Sequence, residues 1–283
     1  MRTQRKSRHY LGDLSTVAVL ALIAAVIVVL ALLIKLPAQG SSSPSNPVVL
    51  KPSDSHGTTD GALLDANEMI AAFATAHDLS LDAWPEKLID LLERNPDTKE
   101  FVLNYPLKKE LAPSVDLSEY KNSESVPLLF QWDERWGYTK YGNEIMGLSG
   151  CGPTCLSMVC IYLLNDTRYT PRYVADFAER NDYYVPGSGS AWTLISKGGE
   201  GLGLDVAEIP LDENRIIRNL EAGNPIICVM GPGDFTTTGH FIVMTGYADG
   251  KIKVNDPNSP TRSEMLWDFD RIKGQIRNLW VCQ

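Results

Sequence analysis

An α+β fold with an antiparallel sheet is what this sequence predicts, and three observations predict it. Helical periodicity governs the chain from about residue 65 to residue 112 and returns in several segments up to Gly223. After Gly223 the pattern changes to strands: "PIICVMG", "HFIVMTGY", "KIKVNDP" and "NLWVCQ". At least one link between them, "ADGK", is too short for a crossover helix, so neighbouring strands run antiparallel.

Taken in order, residues 1–14 are basic, with Arg2, Arg5, Lys6 and Arg8 against Asp13 alone. Ser15 to Ile34 carries no charge, and twenty helical residues rise about 30 Å, the thickness of a bilayer core. Residues 15–36 are therefore expected to form a transmembrane anchor. The basic flank keeps the N-terminus in the cytoplasm and the rest outside, on the extracellular face of the cell membrane. A cleaved signal peptide ending near Ala38–Gly40 is the alternative, but the apolar run exceeds the roughly 7–15 residues usual for one. Residues 37–60, rich in Ser and Pro, are expected to be a flexible linker.

Residues 61–115 are expected to form a small helical arm. Asp65 or Asn67 caps the first helix, Pro85 lies near the start of the second, and a third begins near Pro96 and is broken by Pro106. From about residue 124 to 283 a second domain is expected. Its helices are Gly152–Asn165, Thr170–Asn181 with Thr170 as cap, a short helix capped by Ser190, and Asp212–Gly223.

The net charge of −9 excludes a basic nucleic-acid-binding surface. Beyond Lys35 the chain holds 21 basic and 34 acidic residues, a balance of about −13, which mildly favours cationic peptides as partners. There is no CxxC pair and there are only four histidines, so a zinc site is not expected; no cofactor is expected either.

Five cysteines are present. Cys151 stands between Gly150 and Gly152 and two residues before Pro153, which suits the first turn of a helix. Unpaired N–H groups and the helix dipole stabilise an anion there and lower a thiol pKa. The two glycines leave room for the backbone to bend and for a substrate carbonyl to approach. Cys155 and Cys160 lie deeper in an apolar helix and are expected to be buried and inert. Cys228 and Cys282 fall in apolar strands; a disulfide between them is the minor alternative.

A cysteine nucleophile needs a base. His9 precedes the anchor, His56 is in the linker and His77 is in the arm, so elimination leaves His240. The base needs an acceptor to orient it, and the next strand offers Asn255 and Asp256. A two-residue turn Asp249-Gly250 sets Val243 opposite Asp256 and turns Asn255 to the histidine's face. A three-residue loop from Ala248 to Gly250 turns Asp256 there instead. Spacing leaves the two open, as it does Gln131 and Asn143 for an oxyanion donor.

Taken together, "FQWDERWG", "SGCGPTCLSMV", "GHFIVMTGY" and "KVNDP" resemble the papain-fold cysteine peptidases related to the bacteriocin-processing (double-glycine leader) peptidases, in their stand-alone branch. The resemblance spans about residues 124–283. It implies a papain-like fold with Cys151 as nucleophile, His240 as base, Asp256 as orienting acid and Gln131 as oxyanion-hole glutamine. The arm is similar to the segment that precedes the domain in membrane-anchored members. Nothing resembles the transporter and ATPase domains fused to the leader-processing relatives. The expected function is thus an extracytoplasmic cysteine peptidase acting on a peptide or protein. A cell-wall peptide amidase or acyl transferase, and a non-catalytic peptide-binding module, are the alternatives.

Overall fold

The computed structural model describes residues 65–112 and 114–283. The expected basic N-terminus, anchor 15–36 and linker 37–60 lie outside the described residues. Among the described residues no helix is long and apolar enough to cross a membrane.

The arm consists of α1 (Ala66–His77), α2 (Glu86–Arg94) and α3 (Lys99–Lys108). Asp65 caps α1: its carboxylate accepts from the Glu68 N–H at 2.8 Å, and the Glu68 carboxylate accepts from the Asp65 N–H. Two otherwise unpaired groups are thereby satisfied. Leu88 and Leu92 of α2 and Phe101 and Val102 of α3 are fully or almost fully buried, and they hold the three short helices together. Pro106 does not break α3, contrary to expectation; the helix runs through it to Lys108. Proline removes the N–H that would bond to the Val102 carbonyl. The indole Nε1 of Trp84 supplies the missing donor to that carbonyl at 2.8 Å.

The arm packs on the domain that follows. The Phe101 ring stacks on Tyr138 with centroids 4.5 Å apart and lies over Gly137 and Gly147, where an added Cβ would sit 2.6 and 2.4 Å from ring atoms. Only glycine permits that approach.

The domain is built on a six-stranded antiparallel sheet. Its strands are β5 (Val206–Glu208), β6 (Ile226–Met230), β7 (His240–Ala248), β8 (Lys251–Asn255), β9 (Leu266–Trp267) and β10 (Ile276–Cys282), in the order β5-β10-β6-β7-β8-β9. The four longer strands coincide with the expected ones; the short edge strands β5 and β9 carry too few residues for a period of two to show. Two small ribbons, β1 (Lys140–Tyr141) with β2 (Glu144–Ile145) and β3 (Tyr184–Val185) with β4 (Gly189–Ser190), lie outside the sheet.

Alternation sorts the sheet into two cores. Ile227, Val229, Phe241 and Val243 join the core that contains α5 (Cys151–Leu164) and α6 (Pro171–Arg180). Cys228, Met230, Ile242 and Met244 join the core of α8 (Glu213–Glu221). Thr170 caps α6 and Asp212 caps α8, each accepting a backbone N–H three residues on. Ser190 is not a helix cap. It is buried in β4, its Oγ 2.7 Å from the Tyr141 hydroxyl, and the helical segment begins later as a π turn (Leu194–Gly198) leading into α7 (Gly199–Leu202). A buried hydroxyl requires a partner, and the tyrosine outcompetes the helix end.

All five cysteines are free thiols. Cys228 and Cys282 are buried in opposite cores, so no bridge can join them across the sheet.

Candidate active site

Cys151 is the first residue of α5, which follows the short helix α4 (Met146–Ser149) after a single residue, Gly150. Pro153 falls in the first turn, as the sequence predicts. Neither flanking glycine adopts a positive φ. At Gly152 a Cβ would lie 2.7 Å from Ser190 Oγ. Gly152 is thus a packing requirement that lets β4 lie against the start of the helix.

Four features define the surroundings of the Cys151 sulfur. Burial raises its thiol. The hydrogen bond with His240, the charge of that imidazole, and the N–H groups of Phe241 and Gly152 oppose burial and outweigh it. The net result is a thiol below its ordinary pKa. Cys155, one turn further along, has only burial and nearby negative charge around it, and its thiol is pushed far up.

His240 opens β7. Its Nε2 lies 2.7 Å from Asp256 Oδ1, and His240 lines the same cleft as Cys151. Burial alone would lower the histidine; the charge and hydrogen bond of Asp256, then the contact with Cys151, raise it instead. Asp256 is fully buried. Burial would raise its carboxyl, but His240 and then Arg262 hold it below the ordinary carboxylate range. Arg262 Nε donates to Oδ2 at 2.6 Å, the Asn258 N–H donates to Oδ1 at 2.8 Å, and the Asp256 N–H donates to Ser263 Oγ at 2.9 Å. Each carboxylate oxygen is thus satisfied by a separate donor group or groups.

The choice between Asn255 and Asp256 is made by neither hairpin alone. The β7–β8 turn is the two-residue one, pairing Ala248 with Lys251. Asp249 and Gly250 both have positive φ, as a hairpin of that length requires. A β-bulge at Thr245 then moves the register by one, so that Val243 faces Asn255. Carried one residue further, this register sets Asp256 on the side of His240. Asn255 turns away, and its Nδ2 donates to the carbonyls of Val126 at 3.1 Å and Pro127 at 3.0 Å.

Gln131 is buried beside these groups and lines the same cleft as Cys151 and His240. Its Nε2 donates to the Gly147 carbonyl at 2.9 Å, and its Oε1 is buried without a hydrogen-bond partner. Exchanging the two amide atoms would set oxygen against oxygen, which fixes the orientation and leaves one amide hydrogen uncommitted. The Gln131 N–H donates to the Pro257 carbonyl at 2.8 Å, tying it to the turn after Asp256. Asn143, the other candidate donor, is exposed at the tip of the β1–β2 ribbon, where its N–H bonds the Tyr184 hydroxyl.

The cleft holds about 1000 Å³. Residues of the loop Val185–Trp192 border it, as do residues of the loop before His240. Among the described residues no cluster of side chains could hold a metal ion.

Sequence reasoning missed Arg262, Asn258 and Asn95. Ser259 caps α9 (Pro260–Glu264) and Pro260 is its first residue, a readable helix start that carries Arg262 back over Asp256. Asn95 follows α2 and donates from Nδ2 to the Asn258 carbonyl at 2.6 Å. No local signal marks a contact 163 residues apart.

No curated protein matches the chain. Among solved structures it is similar to the peptidase domain of Streptococcus ComA, a bifunctional ABC transporter involved in a quorum-sensing pathway. Identity there is 17%, coverage is 55% of this chain and 96% of that one, and the TM-score is 0.40. It is also similar to a protein described as a C39-like peptidase from Bacillus anthracis, at 12% identity, with 56% and 94% coverage and a TM-score of 0.37. A match to the Peptidase_C39 like family spans residues 123–282, more than half of the chain and all of the domain that carries Cys151, His240 and Asp256, and the chain belongs to that family.

Proposed function

We propose that this chain is a cysteine peptidase in which Cys151 is the nucleophile, His240 the general base and acid, Asp256 the group that orients the histidine, and Gln131 an oxyanion donor. One observation carries this reading: Cys151, at the first turn of α5, lines the same cleft as His240, whose imidazole is bonded to the buried Asp256 carboxylate.

The Cys151 thiolate attacks the carbonyl carbon of a peptide bond, while His240 holds the proton. The free hydrogen of the Gln131 amide and the N–H at the helix start stabilise the oxyanion. As the tetrahedral intermediate collapses, the C–N bond breaks and His240 delivers its proton to the leaving amine. Water, deprotonated by His240, then attacks the thioester, releasing the acid and restoring the thiol. Asp256 keeps the ring in the tautomer and orientation both steps need.

The chain is further proposed to be anchored by residues 15–36, with this site outside the cell. The uncharged run with its basic N-terminal flank supports that location.

The test uses an electrophilic peptide probe on the full-length protein. Wild type is expected to be labelled at one cysteine, and Cys151→Ala to lose both the label and peptide cleavage. Equal labelling of the variant would sink the proposed role of Cys151. On intact cells a membrane-impermeant probe is expected to label as fully as after lysis; labelling only after lysis would refute the location.

A further inference from the structure

The cleft is not built by the peptidase domain alone. Lys87, Leu91 and Arg94 of α2 all border it, together with Asn95. Their spacing of four and three residues places them on one stripe of the helix. One face of an arm helix, outside the region matched to the family, is therefore a wall of the cleft that contains Cys151 and His240.

The wall is fixed at both ends. Near its start, Lys87 pairs with Glu144 of β2. At its end, the Asn95 amide holds the Asn258 carbonyl, to which Trp132 Nε1 also donates at 3.3 Å. Leu88 and Leu92, on the other side of the helix, are locked into the arm core. The stripe is thus presented in a set position rather than on a loose tail.

The charges bordering the cleft are nearly all committed. Lys87 pairs with Glu144, Asp234 with Arg271, and Arg262 with Asp256. Arg94 differs: its Nε donates to the Asp90 carbonyl, and among the described residues its guanidinium has no carboxylate partner. A guanidinium held by its Nε keeps its terminal N–H groups in a fork suited to a carboxylate. The chain as a whole is acidic and repels acidic peptides at long range, so any preference for them must come from this local cation.

We propose that α2 is the substrate-selecting wall of the cleft and that Arg94 reads an acidic side chain of the bound peptide. This rests on the peptidase reading above and adds the class of peptide. It departs from the expectation that overall charge mildly favours cationic peptides.

The experiment uses the full-length protein carrying Cys151→Ala and short fluorescent peptides identical except for Glu or Gln at each position in turn. Binding is followed by anisotropy, and the quantity read is the Glu/Gln affinity ratio within each variant. At one position that ratio is expected to be about three to five at low salt, the range of a partly exposed ion pair. It should shrink as salt is raised, fall to one in Cys151→Ala/Arg94→Ala, and drop below one with Arg94→Glu. Because the ratio is internal, a loss of folded protein does not imitate the effect. A ratio of one at every position, a ratio unmoved by the Arg94 substitutions, or no binding by any peptide overturns the proposal. Cleavage by the Cys151-containing protein is assayed with the same peptides. Should it cleave none while the binding ratio depends on Arg94, hydrolysis fails and the wall stands.

Discussion

Cys151 and Cys155 are four residues apart on one helix, yet their thiols are driven in opposite directions. Burial raises both, although Cys151 is half-buried at the cleft and Cys155 is fully buried. At Cys155 burial and nearby negative charge together push the thiol far up. At Cys151 an imidazole and two backbone N–H groups reverse the effect of burial. A helix start contributes to this difference, but the dipole effect is typically about 0.3–1 kcal/mol, smaller than a paired charge in a dry site. What separates the two cysteines is chiefly the contact with β7, not their place along α5.

That comparison is most severely broken by His240→Ala. Without the imidazole only the backbone N–H groups oppose burial at Cys151, and its thiol should rise towards the other four. Peptide cleavage is expected to fall roughly 10²–10⁴-fold or more. Alkylation at neutral pH, read by peptide mass, should slow sharply at Cys151. Fast alkylation retained at Cys151 would assign the activation to the helix start.

Asp256→Asn is the next largest change. Cys151 is lowered from its ordinary 9.0 and His240 is raised from 6.5 to about 10, so the charged pair exists between the two transitions. The two groups titrate as one system, and kcat/KM should trace a bell. Its acid limb marks formation of the thiolate and its alkaline limb the loss of the imidazolium proton. Asp256 is the main group raising His240, so its neutral replacement should bring the alkaline limb down, with a fall in rate on the order of 10²–10⁴. An alkaline limb that stays in place would show that Asp256 does not set the histidine.

Asn95→Ala sharpens the comparison by asking how far its support extends. Asn95 acts through the Asn258 turn, whose N–H holds the same oxygen that His240 uses. Losing one such bond costs about 1 kcal/mol, so kcat should drop by about fivefold. The alkaline limb should also shift downwards, which a general loss of stability would not cause.

The smallest effect is expected from Trp84→Phe. It leaves the Val102 carbonyl without the donor that substitutes for Pro106, at a cost of about 1–2 kcal/mol. For a chain of this size that lowers the melting temperature by several degrees. Alkylation of folded protein should still distinguish Cys151 from Cys155 as sharply as in wild type; a blurred distinction would tie the thiol to the integrity of the arm.

Much of this was legible in the sequence, and the gaps share a cause. Cys151 declares itself through neighbours in the chain, and His240 through the scarcity of histidines. The capped helices α1, α6 and α8 are written in residues three apart. Pro106 was misjudged because its rescue comes from Trp84, in a different helix-forming segment. Ser190 was misjudged because its partner is Tyr141. Arg94 carries no local signal, because only the packing of the arm reveals that its stripe meets the cleft. In each case a local rule was overridden by a contact that no window of sequence contains.

The bulge at Thr245 has a bearing on how this hairpin tolerates change. The extra residue stands unpaired in mid-strand, and its hydroxyl is buried without a hydrogen-bond partner. It is slack in the chain, stored away from the tip. Deleting it would straighten the strand and leave the pairs on either side as they are, so the base would still meet its acid. Removing a residue from the tip instead would destroy the tight two-residue reversal and push the mismatch toward the catalytic end. The same loss of one amino acid is thus absorbed at one point of the ribbon and ruinous at another.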